Sequence, residues 1–527
     1  MLTWNRARGI FEQAAFYHSH CYIFMKKRGT IVFKYILFAA GIFASGICYS
    51  QTEAGVSRDM QFSLEMAIKR AHEASYDAQV AKYNLMGRYW GYRSYKAELL
   101  PSLNLSGDLL NFDRSLTEAR DPHSGRLAYV DNNTLNNNLS LSIDQNIPFL
   151  GGKISVSSYI RRLDQFNYDQ ITYRTQPLLL TYTQPLRLYN DLKWKKKTEP
   201  LKYELAKRQY LERMENITLR VTSLFFSVLS QQANYRQSIK ELADREELYR
   251  TAEKRFKLGT VVKSEILQLE LSLLNAKMAV NRNKLNLDNR KHLLFSYLQM
   301  SDYENVELLP PFVLPELDMN VNSVIDKALS NSSYKIQQNL DLLTSEQELA
   351  RLKSAKGIQM ELYGKVGLSK SASKFPDAYN NLKDNEVVGL RFRMPIYDWG
   401  LDKGKVKMAE ANLKITKTEI TQKLIDFEQE IRNNVLLFNS QAEQCRISIK
   451  ASEIADERYE IVRKRFENNT VTVTDLNTAM NAKINATNQY IDQLQTYWSK
   501  YFELQKITLY DFINHRDISE DFDKLVK

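Results

Sequence analysis

Residues 247–266 read ELYRTAEKRFKLGTVVKSEI, and residues 457–476 read ERYEIVRKRFENNTVTVTDL. Several residues of the first stretch return in the second at one constant offset: Glu247, Tyr249, Lys254, Arg255, Phe256, Thr260 and Val261 correspond to Glu457, Tyr459, Lys464, Arg465, Phe466, Thr470 and Val471. Upstream, TYTQPLRLYN around Pro185 aligns with RFRMPIYDWG around Pro395 at the same offset. The chain is therefore predicted to contain an internal repeat of two matched halves.

An apolar stripe between these anchors also repeats. Its members in the two halves are Met214, Ile217, Val221, Phe225 and Val228, and Leu424, Phe427, Ile431, Val435 and Phe438. Spacings of three and four residues are typical of one face of an α-helix. Because a helix rises about 1.5 Å per residue, each arm between the anchors would reach roughly 100 Å. Two equal arms of this length, each ending in a turn, indicate the wall of a long tube.

Residues 1–50 have the pattern of an export leader. From Met25 the chain reads MKKRGTIVFKYILFAAGIFASGICYSQ, a basic start followed by a short apolar run. This pattern predicts a signal peptide that is cleaved after Ser50, with Met25 as the expected true start. Two alternatives stay open: an uncleaved N-terminal anchor helix, and lipidation of Cys48.

The composition excludes several classes of protein. The formal net charge is +11, but the basic residues are spread along predicted helices and form no patch, so nucleic-acid binding is not predicted. Once the leader is removed, Cys445 is the only cysteine, which excludes an intrachain disulfide. No stretch after the leader approaches the roughly 20 apolar residues of a membrane-spanning helix. If this exported chain enters a membrane, we expect it to do so as a closed β-barrel.

Short runs of alternating apolar and polar residues predict strands in both halves. They are LNLSGDLL after Pro101 and residues 139–144, 178–183, 360–368 and 389–394. Two polar segments that flank them, DNNTLNNN (131–138) and SKSASKFPDAYNNLKDN (369–385), are predicted as loops. One apolar and one polar face per strand is what a membrane barrel with a wet lumen requires. A soluble antiparallel sheet is the alternative.

Each half is predicted as a helix, a strand pair, a very long helix, a tip turn and a returning helix. The boundaries are residues 51–315 for the first repeat, 316–512 for the second and 513–527 for a C-terminal tail. The segment LLPPFVLPELD links the halves. We expect Pro200 to kink the first long helix or to delay its start, because proline lacks an N–H donor.

The tip turns have local causes in the sequence. KLGT places Gly259 where a residue with positive φ can end a helix, and ENNT offers Asn469 at the equivalent position. Polar residues just after each turn are expected to cap the returning helices: Ser264, Glu265, Thr474 and Asp475.

These features together resemble the TolC family of outer-membrane efflux and secretion channels. The motifs that carry the resemblance are the end of the first helix (Ala97, Leu99, Leu100, Pro101, Leu103), QPL at residues 184–186, PIYDWG at residues 395–400 and RFxxGT at the first tip. Their order and spacing, with the duplication, cover essentially the whole mature chain.

The resemblance implies an α+β membrane protein of the Gram-negative outer membrane. In this family an outer-membrane β-barrel is continuous with a long periplasmic α-helical barrel of coiled-coil character. The implied assembly is a homotrimer in which each protomer gives four strands to one twelve-stranded barrel. It would be a passive conduit in the lipid bilayer, receiving substrates from a periplasmic adaptor and an inner-membrane transporter in efflux or type I secretion. The sequence leaves the cargo open among drugs, metals, siderophores and polypeptides, and it leaves the pump class open.

The tips are the candidate site for closing the pore and for contacting the adaptor, because they are the only predicted breaks at the far end of the arms. The candidate residues are Lys257, Gly259, Thr260, Ser264, Glu265, Asn469, Thr470, Thr474, Asp475 and Asn477. For Gly259 and Asn469, a role limited to turning the chain is the favoured interpretation.

The sequence departs from the family pattern in two places. Residues 137–160 have the pattern of an additional strand pair, which either extends the barrel strands or forms an outer hairpin. Relatives often carry acidic rings just after the second tip, and here the aligned positions are Thr474 and Asn477, with Asp475 between them. A cation-selective acidic gate is therefore not predicted.

Two other functions compete with that of a channel. An elongated periplasmic adaptor would use the helical hairpins for contact alone, but adaptors typically carry one hairpin rather than two with duplicated strands. An enzyme is rejected, because the histidines of the mature chain are scattered and no GxSxG, P-loop or CxxC motif is present. No catalytic residue, cofactor or metal is predicted.

Overall fold

A computed structural model describes residues 60–526 except 121–124, 126, 188, 260–261, 304, 312–314, 316, 469 and 472. The chain divides into two units, Met1–Met60 and Gln61–Lys527, and the second contains the helices and strands described below. The predicted leader with its start and Cys48, and the tip residues Thr260 and Asn469, lie outside the described residues.

Helices of closely matched length occupy corresponding positions in the two halves. The first half contains α1 (Leu64–Ala74), α2 (Tyr76–Glu98), α3 (Asp191–Lys257) and α4 (Lys263–Tyr297). The second half contains α5 (Val321–Asn331), α6 (Tyr334–Lys356), α7 (Leu401–Glu467) and α8 (Val473–Thr508). Both α3 and α7 have 67 residues, so each runs for roughly 100 Å.

The largest sheet among the described residues has six antiparallel strands. Its members are β2 (Ser102–Arg120), β3 (Leu127–Ile147), β4 (Gly152–Gln165), β5 (Gln170–Leu186), β7 (Gln359–Ala372) and β8 (Lys383–Arg393), in the order β2-β3-β4-β5-β7-β8. Four strands come from the first half and two from the second. The four strands per protomer that the resemblance implied are therefore wrong for this chain. The additional strand pair is confirmed as β3–β4, and it lies inside the sheet rather than forming an outer hairpin.

Smaller elements complete the fold. They are β1 (Met60–Phe62), which pairs with β6 (Val306–Leu308), a 3₁₀ helix at Pro376–Tyr379, β9 (Tyr510–Asp511), which pairs with β10 (Arg516–Asp517), and α9 (Phe522–Leu525).

The asparagine-rich segment 131–138 was expected to be a loop and lies within β3 instead. Its amides are satisfied across the sheet. Asn132 donates to Asp113 at 2.7 Å, and Asn138 donates to Asp108 at 2.9 Å. These side chains point to one face of the sheet, because alternate residues of a strand face opposite sides. Cross-strand hydrogen bonding therefore overrides the turn preference of asparagine.

The helices pack side by side in a fixed order. Beside the strands, α2 packs on α3, α3 on α6, and α6 on α7. Toward the tips, α4 packs on α3, α3 on α8, and α8 on α7. The short helices α2 and α4 thus share one edge of the helical layer, while α7 forms the other edge.

The main core lies where α1 and α5 pack against the long helices. Most of the predicted apolar stripe is buried there, including Val221, Phe225, Ile431 and Phe438. Leu424 is an exception, with 38% of its surface exposed. Among the described residues, no helix combines the length and the apolar character that crossing a membrane requires.

Three local expectations about helix ends are corrected by the structure. The single helix predicted to open the first half is split after Ala74, where Ser75 caps α2 by accepting from the Ala78 N–H at 3.2 Å. Helix α3 begins at Asp191, so Pro200 lies inside it and the delayed start is wrong, while the kink at Pro200 stays a prediction. Asn190 supplies the cap there, accepting from the Lys193 N–H at 3.1 Å.

The third correction concerns the return helix of the first tip. Helix α4 begins at Lys263, and the residue before it, Val262, makes no side-chain cap. Ser264 lies within the first turn and is not an N-cap residue. In the second hairpin, Thr474 and Asp475 likewise lie inside the first turn of α8, which begins at Val473.

Candidate functional site

The six-stranded sheet has one apolar and one polar face. One row of paired residues crosses five strands with apolar side chains, Leu103, Ile143, Val156, Leu180 and Val366, and ends on β8 at Glu386. All five are exposed, from 37% for Val156 to 68% for Leu103. Further apolar side chains continue this face into the second-half strands, where Leu362 pairs with Leu390 and Met360 with Phe392.

The adjacent row points to the opposite face and is polar over most of its length. Its members are Ser102, Asp144, Ser155, Thr181, Lys365 and Val387. Single large exposed apolar residues are ordinary on protein surfaces, but a contiguous apolar face marks an interaction surface. An antiparallel sheet that is apolar on one side and polar on the other fits a boundary between an apolar phase and water.

At the first tip, the chain turns through Gly259, whose φ of 76° is the left-handed conformation that glycine adopts without strain. The Gly259 N–H donates to the Phe256 carbonyl at 2.9 Å and closes the end of α3. Lys257 is exposed and lies 3.4 Å from a carboxylate oxygen of Glu253. Ser264 is exposed on the first turn of α4.

At the second tip, Thr470 caps the end of α7. Its N–H and its hydroxyl both donate to the Arg465 carbonyl, at 3.0 and 2.8 Å. Thr474 and Asp475 are exposed on the first turn of α8. Thr470 therefore has a structural role in the turn, whereas Thr474 and Asp475 present polar groups outward.

Asn477 joins the two hairpins. Its side-chain oxygen accepts from Arg245 Nη2 of α3 at 2.7 Å, and the Arg245 side chain is only 12% exposed. Both tips consequently lie at the same end of the helical layer, as the equal arms predicted. Among the candidate tip residues that the structure describes, Asn477 thus forms a side-chain hydrogen bond to the other hairpin.

A second link between the hairpins involves residues that the sequence did not single out for this role. The Tyr459 hydroxyl of α7 donates to Asp244 of α3 at 2.9 Å. Burial and the neighbouring Asp244 raise the pKa of Tyr459 above its ordinary value, so the hydroxyl keeps its proton. Lys483 of α8 lies over the Tyr459 ring, 4.7 Å from its centroid, and forms an ion pair with Asp456. We call Asp244, Arg245, Tyr459 and Asn477 the hairpin link.

The sequence contained part of the signal for this link. Tyr459 is one of the repeated tip residues, but its counterpart Tyr249 makes no hydrogen bond to another described side chain. The partners on α3 are polar residues on a helix, a pattern that also describes any solvated face. Asp244 and Arg245 differ from residues of a solvated face only because α3 packs against the second hairpin in the folded chain.

A buried carboxyl group outside the tips was also missed. Glu215 of α3 is 5% exposed, and its Oε2 has no hydrogen-bond partner among the described residues. Burial raises its pKa from an ordinary value of 4.5 to about 7, and a hydrogen bond with Gln505 opposes the rise. Asp511, at the start of the C-terminal segment, adds a smaller unfavourable charge.

This carboxyl group predicts a pH dependence of stability. Because the folded pKa of Glu215 lies above the unfolded value, its contribution is fully present below about pH 4.5 and is lost as the pH rises through about 7. The loss amounts to at most about 3.5 kcal/mol, at about 1.4 kcal/mol per pKa unit. Glu215→Gln should therefore raise the apparent melting temperature at pH 8 and change it little at pH 5. The exposed Glu247→Gln on the same helix is the matched control, and an equal gain at both pH values would contradict this account.

Comparisons with known proteins were made for the sequence and for the fold. Residues 333–508 match the family described as outer membrane efflux protein. No curated protein matches the chain. Among solved structures, the Campylobacter jejuni CmeC outer membrane channel is similar with a TM-score of 0.62 and 15% identity, over 88% of each chain. The Vibrio cholerae outer membrane protein VceC has a TM-score of 0.58 and 14% identity, over 85% of this chain and 95% of its own. At these identities the likeness concerns the fold.

Proposed function

We propose that three copies of the chain form a passive outer-membrane efflux channel, because residues 333–508 match the outer membrane efflux protein family and the fold is similar to that of the CmeC channel. The sheet crosses the outer membrane, and the helical layer continues it as a periplasmic tunnel. A periplasmic adaptor and an inner-membrane transporter are the proposed partners at the tips. The protein supplies a path and no catalysis.

The two-faced sheet is the observation that carries this proposal. The apolar face suits lipid and the polar face suits a water-filled lumen. In a single copy, β2 and β8 are open edges with unpaired backbone groups. Each such group costs several kcal/mol in lipid, so the sheet must be closed by further copies.

The helical layer supports the same assembly, because each of its edges carries an exposed apolar stripe. On α4 the stripe consists of Leu267, Leu271, Leu274, Met278 and Leu285. On α7 it includes Ile447, Ile454 and Ile461. Spacings of three, four and seven residues are those of coiled-coil seams. Within one copy α4 and α7 lie at opposite edges, so the stripe of each is available to a neighbouring copy.

The matched helices support the duplicated architecture. Helices α1 and α5 both have 11 residues, and α2 and α6 both have 23. In each half the shorter helices lie along a 67-residue helix.

The proposal is tested by extracting the full chain from membranes and measuring its mass and its conductance. We expect a trimer that requires detergent and that forms pores in planar lipid bilayers. A protein that stays soluble and monomeric without detergent would instead favour the periplasmic adaptor. A monomer inserted stably in the membrane would contradict the closure of the sheet by three copies.

The tips are proposed as the closure and as the adaptor contact. Lys257, Ser264, Thr474 and Asp475 are exposed or present polar groups there. The other candidate residues, Gly259, Thr260, Glu265, Asn469, Thr470 and Asn477, are retained as parts of the same region. Polar groups on three converging tips would hold the resting pore shut and would also be accessible to a partner.

Replacing Thr474 and Asp475 together by Ala tests this role. If their polar groups hold neighbouring tips together, single-channel conductance should rise several-fold and large antibiotics should enter cells more readily, since each lost hydrogen bond removes about 1 kcal/mol. Thr418→Ala with Glu419→Ala is the matched control, because both residues are exposed on α7 away from the tip. Unchanged conductance and export would show that the closure lies elsewhere along the tunnel.

A further inference from the structure

The two edge strands of the sheet, β2 and β8, indicate how copies of the chain pair with each other. The strand register defines one row of paired residues through all six strands: Ser102, Asp144, Ser155, Thr181, Lys365 and Val387. Ser102 is the first residue of β2 and follows the end of α2. We call the ends of the strands that adjoin the helices the lower ends.

Beyond this row, the lower ends descend in steps across the sheet, with β3 and β4 ending level with each other and β7 ending level with β8. The limits are Ile147 in β3, Gly152 in β4, Leu186 in β5, Gln359 in β7 and Arg393 in β8. Strand β8 therefore extends six residues below the row in which β2 begins, from Val387 to Arg393. The lower ends of β2 and β8 both connect to helices of the same layer. In a closed barrel these two ends should therefore lie at the same height along the barrel axis.

This stagger has the size that a membrane barrel needs. Six residues correspond to roughly 20 Å along the strands, and six strand spacings to roughly 29 Å across them. The ratio gives a strand tilt of about 35°, and membrane barrels have tilts of about 35–45°. A sheet with this stagger closes without a change in its register.

We infer that three copies close one eighteen-stranded barrel, six strands from each, in which β8 of one copy pairs antiparallel with β2 of the next at a six-residue stagger. The inference rests on the proposed trimeric channel and adds how the wall is built. The strand directions permit it, because an even number of antiparallel strands makes the two edges run in opposite directions.

Charges on the polar face agree with this pairing. The six-residue stagger pairs Arg393 with Ser102 of the next copy. Six residues further up the two antiparallel strands, Val387 then faces Asp108 of that copy. The β-bulge of β2 between Asp108 and Asn111 then brings Asp113 opposite Lys383. The polar face of the β8 edge carries Lys383, Arg391 and Arg393, whereas that of the β2 edge carries Asp108 and Asp113. Opposite charges across a strand pair stabilise it, and like charges destabilise it.

The consequence is a wide barrel. Eighteen strands at this tilt have a perimeter of roughly 105 Å and a diameter of roughly 34 Å, against roughly 22 Å for twelve strands. Both beside the strands and toward the tips, one copy has four helices side by side. Three copies with helices spaced 8–10 Å apart give the layer a perimeter of roughly 100–120 Å. The β3–β4 hairpin thus makes the sheet about as wide as the helices it joins.

Electron cryo-microscopy of the full-length trimer in detergent provides the direct test. We expect eighteen strands in one closed wall, with β3 and β4 inside it. A trimer with a helical tunnel but with twelve strands, or with β3–β4 outside the wall, would overturn this inference and leave the proposed channel intact. A particle that is not trimeric would overturn the proposed assembly itself.

A crosslinking experiment tests the stagger independently. In a Cys445→Ala background, Val387→Cys with Asp108→Cys should give disulfide-linked dimers and trimers on oxidation, because facing residues bring Cβ atoms within about 4–5 Å. The control pair, Val387→Cys with Asn104→Cys, is offset by four residues, or roughly 13 Å, and should not crosslink. Crosslinking of the control pair alone would overturn the six-residue stagger.

Discussion

Replacing Arg245 by Ala and Tyr459 by Phe in the same chain is expected to shift the closed–open equilibrium of the reconstituted channel toward the open state by about 100-fold for each copy. Both substitutions remove hydrogen bonds of the hairpin link. Arg245 donates to Asn477 at 2.7 Å, and Tyr459 donates to Asp244 at 2.9 Å. Each bond involves a charged group and is worth at least about 1.5 kcal/mol, so their joint loss removes roughly 3 kcal/mol per copy.

The measurement is single-channel recording in planar bilayers, with antibiotic entry into cells as the second readout. Tyr249→Phe is the matched control, because Tyr249 is the repeat counterpart of Tyr459 and makes no hydrogen bond to another described side chain. A cycle of Asp244→Ala, Tyr459→Phe and the double variant should be non-additive if these two side chains act as a pair. Wild-type conductance from an intact trimer would show that the hairpin link does not hold the tunnel closed.

Replacing Leu271 and Met278 by Glu is expected to abolish trimer assembly. These residues are 60% and 62% exposed in one copy, and they lie at the centre of the α4 stripe. Covering each apolar side chain stabilises the interface by about 1–2 kcal/mol, whereas burying an unpaired carboxylate there costs several kcal/mol. Without the trimer, the open strand edges should prevent membrane insertion.

Native mass spectrometry and outer-membrane fractionation measure this outcome. Gln268→Glu with Asn286→Glu places the same two charges on exposed positions of α4 outside the stripe and should leave the trimer intact. Normal assembly of the Leu271→Glu, Met278→Glu variant would mean that the stripe is not the contact between copies.

Much of the helical architecture follows from patterns that are local in the sequence. Spacings of three and four residues give the buried faces of α3 and α7, because a helix returns each side chain to the same face after one turn. Gly259 indicates the first tip, since a positive φ favours glycine. Alternating residues indicate the strands around residues 101–108 and 360–368 for the same kind of local reason.

Strand length and strand number were harder to obtain from the sequence. Residues 131–138 resemble a loop because isolated asparagines prefer turns, yet they extend β3 once Asp108 and Asp113 lie across from them. The expected four strands came from a strand pair predicted in each half and from the resemblance. Pairing of β3 with β2, and of β4 with β5, is a non-local choice that local alternation does not specify.

By itself, then, the sequence determined the order of the elements, the matched arms, the two-faced strands and the position of the tips. Only the tertiary structure decided the six-strand order, the hairpin link and the burial of Glu215. These features depend on residues far apart in the chain: Arg245 meets Asn477, and Glu215 lies near Gln505 and Asp511. A polar residue on a helix looks the same in the sequence whether water or another helix covers it, because its local spacing is identical in both cases.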